Sequence, residues 1–421
     1  MLSGRFPIKW LYFAPVALCL LLALVDLQFA ASIAAMMIFV LWAALKARGE
    51  DHFLWNALVI AAVFRMALTI LNEFVTIFPP QSDSVLYNLQ AMQIVENSVR
   101  SLPVFYDSPH SQSVHSYSFF LALFYRWVGL MPLLTSTVNV ILGLLTALLV
   151  YRLSMLIFEN RRAANIALVM TLFFPTFIAF TTYVLRDALI LFFTFLMLYK
   201  GMLAALGRNR IVNATIALIS FVLIGIFRVQ NLYLYGAIGV GYLLMALFFS
   251  KRLKTMKWAL LLVGMTALIY ILIANRELVQ LIINYPLRAQ PLRAGGASVY
   301  LQNMEYRSLF DLIRYLPLRF IYFTFGPFLW NVYSASMLLS ALESLVVVVA
   351  FILTVLYFRK KQNTLHRSSQ WFLLFFCLTC LLANALVDSN FGTSVRHRIP
   401  YVIFFFMFTG AYLRDVKFRL L

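Results

Sequence analysis

Two aspartates and a set of arginines are the residues of this chain best suited to chemistry. Asp83 stands in Pro79-Pro80-Gln81-Ser82-Asp83-Ser84-Val85-Leu86-Tyr87, directly after an apolar run. Asp187 stands in Tyr183-Val184-Leu185-Arg186-Asp187-Ala188-Leu189, where two further apolar runs meet. A carboxylate within hydrogen-bond reach of a hydroxyl can take its proton as the oxygen attacks. Arginine offers a planar fork that grips phosphate through two parallel bonds and stays charged when partly buried. Arg396, His397 and Arg398 lie in Asn390-Phe391-Gly392-Thr393-Ser394-Val395-Arg396-His397-Arg398-Ile399-Pro400, and Arg228, Arg276, Arg288, Arg293, Arg307, Arg314 and Arg319 are spread through other polar segments. A departing phosphate needs cations set where its charge develops. Arg396 with Arg398 is the foremost pair for that, followed by Arg228, with His397 as an added donor. Plainer readings stand beside these: Asp83 as an N-cap carboxylate, Asp187 as the ion-pair partner of Arg186, and any single arginine as a headgroup anchor.

The elements that must position these groups are membrane helices. Hydrophobic residues make up 63% of the 421, charged residues 12%, and the mean hydropathy is +0.89. These values exclude an ordinary soluble domain. The net charge of +19 is scattered over many short polar segments, which argues for anionic lipid headgroups and phosphorylated lipids as partners and against nucleic acid. Cys19, Cys377 and Cys380 lie in apolar runs and read as small buried hydrophobes, with no disulfide framework. His110, His115 and His397 have no cysteine or acid at ligand spacing, so no metal site is read from the residues.

A helix needs roughly 20 apolar residues to cross the hydrocarbon core. The pattern predicts an all-α polytopic membrane protein, a single integral domain over 1–421 with about 12 spans: 10–27, 28–46, 54–78, 131–157, 164–184, 187–205, 211–227, 231–249, 258–275, 335–357, 370–388 and 400–414. The first is expected to act as a signal anchor, because apolar stretches recur to the end of the chain. Two more apolar stretches, 116–130 and 313–333, are expected to be re-entrant or interfacial, the second being interrupted by Pro317 and Pro327. With that assignment Lys9, Lys46, Lys200, Lys251, Lys254, Lys257, Lys360, Lys361 and Lys417 all fall on one side, which the positive-inside bias makes cytoplasmic. The other side keeps arginine alone. Both termini are then cytoplasmic in a bacterial inner membrane. Segments 79–130 and 276–334 become two long outer loops, which must pack over the bundle or line a cavity because irregular backbone cannot face lipid. Arg65, Asn72 and Glu73 in the third span need polar company or a cavity.

From about Pro79 to Lys200 the chain resembles the C-type membrane glycosyltransferases, in particular the branch of protein mannosyltransferases and aminoarabinose transferases. The resemblance rests on Asp83 with Tyr87 four residues on, on the interfacial helix Tyr117-Ser118-Phe119-Phe120-Leu121-Ala122-Leu123-Phe124-Tyr125-Arg126-Trp127-Val128-Gly129, on Leu156-Ile157-Phe158-Glu159-Asn160-Arg161-Arg162-Ala163-Ala164, and on Phe174-Pro175-Thr176-Phe177-Ile178 leading to Asp187. It implies a transferase that moves a sugar from a polyprenyl-phosphate-linked donor to a glycan, lipid or protein acceptor on the outer face. Asp83 would then be the general base, and Asp187 would place the acceptor or bind a divalent metal. Arg396, Arg398, Arg228 and His397 would hold the donor phosphate, and Tyr87, Arg293 and Arg307 would contact the acceptor or belong to the second loop. No second carboxylic acid is required, since the leaving lipid phosphate is already a good anion, unlike the case of glycoside hydrolysis.

Two other classes compete. A polysaccharide polymerase or ligase would use a polyprenyl-diphosphate-linked glycan and lean on arginines rather than on a first-loop acid. A lipid-linked sugar flippase would distribute charge through the spans and carry an internal repeat, and the chain contains no convincing repeat.

Overall fold

The computed structural model describes residues 26–47, 52–75, 77, 81–96, 109–249, 284–287, 289–291, 295, 298–302, 304, 306–360 and 366–414. Their named elements are fourteen α-helices and one 3-10 turn: α1 (Leu27–Ala47), α2 (His52–Val75), α3 (Ser82–Glu96), α4 (Pro109–Val128), α5 (Pro132–Phe158), α6 (Arg161–Leu172), α7 (Pro175–Thr182), α8 (Asp187–Ala205), α9 (Arg210–Phe227), α10 (Val229–Phe249), α11 (Leu309–Phe325), the turn Leu329–Asn331, α12 (Ala335–Arg359), α13 (Arg367–Ala385) and α14 (Phe391–Leu413). Among the described residues, seven helices are long and apolar enough to cross a membrane: α1, α2, α5, α8, α9, α12 and α13. Bent pair α6 and α7 makes up to eight. The protein is therefore an all-α chain of membrane-spanning character. The expected spans 231–249 and 400–414 lie in α10 and α14. The expected spans 10–27 and 258–275, with Arg276, Arg288 and Arg293, lie outside the described residues.

The chain divides into two units, Met1–Val229 with Gly410–Leu421, and Gln230–Thr409. In the first, α5 is the central helix. Pro132 opens it, where a missing N–H costs nothing. Glu159 closes it in the left-handed conformation, φ 50°, with its N–H on the Met155 carbonyl. Asn160 then caps α6, its Oδ1 accepting from Ala163 N at 2.9 Å. One core of this unit gathers Trp55, Leu58, Val140, Leu144, Leu148, Leu168 and Leu172 from α2, α5 and α6.

The expected span 164–184 is broken. α6 and α7 meet at 57°, because Pro175 has no N–H to continue the ladder. A broken helix inside a bundle must have its freed carbonyls satisfied. Arg65 of α2, fully buried, does this: Nη2 donates to the Leu172 carbonyl at 2.7 Å and Nη1 to Thr181 Oγ1 at 3.0 Å. Its guanidinium also lies 4.8 Å from the centre of the Phe177 ring. Gly143 of α5 leaves the room for it, since a Cβ there would stand 2.9 Å from Arg65 Nη1 and 3.0 Å from Thr181 Cβ. The polar company expected for Arg65 is thus the helix break. Glu73 is exposed.

In the second unit, α11 begins with a reciprocal cap. Ser308 Oγ accepts from Asp311 N, and the Asp311 carboxylate accepts from the N–H groups of Arg307 and Ser308. Pro317 does not interrupt this helix as expected. It sits inside α11, where a proline removes one ladder bond without ending a helix whose neighbours hold it; the apolar run stops at Gly326 and Pro327 instead. Pro400 likewise does not start the last helix. α14 begins at Phe391 and carries Pro400 within it, because Asn390 supplies the start: its Oδ1 accepts from Gly392 N at 2.8 Å and its carbonyl from Ser394 N at 2.9 Å. Arg396, His397 and Arg398 are therefore helical residues rather than a loop before a helix.

Residues 298–300 are sewn to this point. Val299 and Asn390 form an antiparallel bridge, with Tyr300 N on the Ser389 carbonyl and Phe391 N on the Ser298 carbonyl, both at 2.9 Å.

Candidate active site

In the first unit several of the candidate residues gather around the turn 183–186, between α7 and α8. Asn139 of α5 pins that turn, its Nδ2 donating to the carbonyls of Tyr183 at 2.6 Å and Leu185 at 3.0 Å. Asp187, buried in the first turn of α8, faces Arg228 just past the end of α9, with Oδ1 3.8 Å from Nη2. Each charge suits its own helix end, an anion at the start of α8 and a cation at the end of α9. Arg186 is buried as well. Its Nη1 donates to the Phe227 carbonyl at 3.1 Å, and its guanidinium lies 5.8 Å from the centre of the Tyr87 ring.

Asp83 reaches this neighbourhood through α3. It is not the N-cap: Gln81 precedes the helix and its carbonyl accepts from Ser84 N at 3.0 Å, which leaves Asp83 half-buried in the first turn. There a carboxylate favours the helix dipole. One turn on, along the same face, Tyr87 is buried against Tyr117 of α4, ring centres 4.8 Å apart and edge to face. Tyr87, Tyr117, Val184, Leu185 and Phe227 belong to one core cluster. The pair α3 and α4 is held in register by Ser118 Oγ donating to Gln90 Oε1 at 2.9 Å and by Tyr125 Oη donating to Asn88 Oδ1. Burial pushes the Tyr117 phenol far above its ordinary range, and Asp187 adds to the rise. Burial takes the Tyr125 phenol up to about 12. Tyr125 stays neutral as the donor to Asn88.

In the second unit the polar groups converge on the turn between α13 and α14. Asp388, fully buried, holds His397 through Oδ2 and Nδ1 at 2.6 Å; the histidine side chain is 12% exposed. Arg319 of α11, also fully buried, clasps the same turn. Its Nε donates to the Ala385 carbonyl at 3.1 Å, and Nη2 to the Asp388 carbonyl at 2.9 Å and to Ser389 Oγ at 2.6 Å. The Tyr306 ring covers it at 5.0 Å. Its Nη1 has no acceptor among the described residues. Tyr300 Oη donates to the Asp388 carbonyl at 2.7 Å, and burial lifts that phenol well above its ordinary range.

Arg396 and Arg398 differ in setting. Arg398 is fully buried; Nη1 donates to the carbonyls of Thr324 and Gly326, and Nη2 to Ser344 Oγ at 2.9 Å. Its fork is spent on tying α14 to α11 and α12. Arg396 keeps a small exposed fraction beside His397. Arg307 is exposed at the start of α11, and Arg293 lies outside the described residues.

Of the expected residues, the fold joins Asp187 to Arg228 and brings Tyr87, the neighbour of Asp83 on α3, to the same cluster; separately it joins His397 to Asp388. Reading by residue type missed Asn139 and underrated Asp388 and Arg319. A polar residue in the apolar run 131–157 is the signal that could have found Asn139. Among the described residues no three or more of His, Cys, Asp and Glu come together as a metal would require. No family model, known protein or solved structure matches the chain.

Proposed function

We propose that this protein is a membrane glycosyltransferase that takes a sugar from a polyprenyl-phosphate-linked donor and passes it to a hydroxyl of a glycan, lipid or protein acceptor. One packing fact carries the reading. Tyr87, one turn after Asp83, shares a core cluster with Val184, Leu185 and Phe227, so the helix of Asp83 is docked beside the Asp187–Arg228 pair. A half-buried carboxylate one turn before Tyr87, together with a buried carboxylate and a cation that follow Leu185 and Phe227 in the chain, supplies the kinds of group that acceptor activation and phosphate departure need.

In this reading Asp83 takes the proton of the acceptor hydroxyl as its oxygen bonds to the anomeric carbon. The bond from that carbon to the phosphate oxygen breaks, and the lipid phosphate leaves as an anion toward Arg228. Asp187 orients Arg228 and the acceptor. Arg396 and His397 are a further set of phosphate ligands in the second unit, and Arg398 acts by holding α14 in place. Twelve spans, both termini on the lysine side, the loops 79–130 and 276–334 on the periplasmic side and a bacterial inner membrane complete the proposal.

A polysaccharide polymerase or ligase acting on a polyprenyl-diphosphate-linked glycan is the second reading, favoured by the buried Arg319, whose Nη1 has no acceptor among the described residues, and by Arg396. The two separate in one experiment. The full chain in vesicles is supplied with a panel of radiolabelled polyprenyl-phosphate and polyprenyl-diphosphate sugars, and release of the sugar from lipid is followed for Asp83→Asn and Arg396→Gln. The transferase reading expects Asp83→Asn to lose on the order of a hundredfold or more on a monophosphate donor. Unimpaired turnover by Asp83→Asn, with loss in Arg396→Gln on a diphosphate donor, favours the polymerase or ligase.

A further inference from the structure

Within the second unit an apolar groove of about 540 Å³ runs between α11, α12 and α13, a volume in the range of lipid and small-molecule sites. Phe320 and Leu382 line one end, Leu378 the middle, and Phe358 and Trp371 the other, where Arg359 also enters the lining. From Trp371 to Leu382 the wall follows α13 for roughly 16 Å, at about 1.5 Å per residue. Phe358 and Trp371 meet with ring centres 4.6 Å apart, so the end of α12 and the start of α13 close the groove together. Arg367 stands one turn before Trp371 on the same face of α13. Arg359 thus lines this end of the groove, and Arg367 lies one helical turn beyond it.

We propose that the groove is a binding site for an anionic glycerophospholipid, with one acyl chain along α13 and the headgroup phosphate at Arg359 and Arg367. Both flanking helices, α12 and α13, are long and apolar enough to cross a membrane, which opens the groove to acyl chains. Hydrocarbon alone gives no selectivity there, because lipid tails are as apolar as the leucines that line it. Selection falls on the charged end. From 359 to 367 the chain carries Arg359, Lys360, Lys361, His366 and Arg367 and no acidic residue, and Trp371, 48% exposed, has the amphipathic ring that settles at headgroup level. A basic end on a groove between membrane helices is complementary to a phosphate with net negative charge and not to a zwitterion. This site is at the lysine-bearing end of α12 and stands or falls independently of the transferase reading.

The full-length protein, delipidated in detergent, is given equal amounts of phosphatidylglycerol and phosphatidylcholine of the same chain length, and retained lipid is counted by native mass spectrometry. The wild type is expected to retain phosphatidylglycerol roughly tenfold or more over phosphatidylcholine. The double variant Arg359→Gln, Arg367→Gln is expected to lose that preference, and Leu378→Trp, which fills the groove, to lower retention of both lipids. Circular dichroism and gel filtration establish that each variant is folded before it is scored. Equal retention by the wild type overturns the proposal, as does a preference that survives in the double variant. A third arm adds an isoprenoid phosphate; if it displaces phosphatidylglycerol at equal concentration, the occupant is an isoprenoid and the glycerophospholipid assignment is wrong.

Discussion

His397 Nδ1 lies 2.6 Å from Oδ2 of Asp388, a carboxylate with no solvent exposure. Breaking a buried pair from one side costs more than replacing it. His397→Ala is expected to destabilise the protein by about 3 kcal/mol, seen as a lower melting temperature in detergent. Asp388→Asn removes the charge but keeps an acceptor for Nδ1, and is expected to cost less. Equal losses in the two variants would mean that the cost does not come from a buried carboxylate left unpaired.

Arg398 and Arg396 stand two residues apart and are expected to fail differently. Arg398→Lys loses the fork that binds Thr324, Gly326 and Ser344 and is expected to cost about 3 kcal/mol or more of stability. Arg396→Gln, at a position that keeps a small exposed fraction, is expected to cost less stability than Arg398→Lys while lowering sugar release. Thermal melts of both variants, set against their turnover, check this. A stable Arg398→Lys would return it to the set of phosphate ligands.

Gly143→Ala puts a methyl group 2.9 Å from Arg65 Nη1 and 3.0 Å from Thr181 Cβ. The guanidinium must then move off the broken helix, with a cost of about 1–3 kcal/mol. A melting temperature equal to that of the wild type would show that α5 yields at this crossing.

Under the proposed function, Arg228→Gln is expected to lower turnover on the order of a hundredfold, and Arg228→Lys by less. Asp187→Asn should lower it too, because Arg228 then loses the partner 3.8 Å away that orients it. Initial rates over a range of donor concentrations check both. Unchanged rates in Arg228→Gln remove it from the phosphate path.

The start of α11 carries a pH signature. Hydrogen bonds from Arg307 N, and then from Ser308, hold the Asp311 carboxyl below its ordinary value of 3.8. The ionised form is favoured in the folded chain, so this stabilisation is complete above 3.8 and is lost as pH falls below it. Helical content followed by circular dichroism from pH 5 to pH 3 should fall later in Asp311→Asn, which has no carboxylate to protonate. Superimposable curves would show that the cap does not titrate.

Much of the framework was legible in the residues because hydropathy is additive along a helix. The apolar runs at 28–46, 54–78, 131–157, 187–205, 211–227, 335–357 and 370–388 all correspond to helices of spanning character. Caps were legible less well. Asp83 read as an N-cap and lies one step inside the helix; Pro317 and Pro400 read as boundaries and lie within α11 and α14. A proline removes one hydrogen bond, and whether that ends a helix depends on neighbours the residue string does not reveal.

By composition and run length alone the chain reads as a membrane-type helical protein, since apolar runs of about 20 residues are the length a helix needs to cross lipid with its backbone groups satisfied within the segment. The partners of its charges were another matter. Asp187 with Arg228, Asp388 with His397, and Arg65 with the carbonyl of Leu172 join residues brought together by packing, over separations from nine residues to more than a hundred. Sequence spacing says which residues share a helix face. Which buried charge meets which donor is decided by where helices cross, and only the tertiary structure decides that.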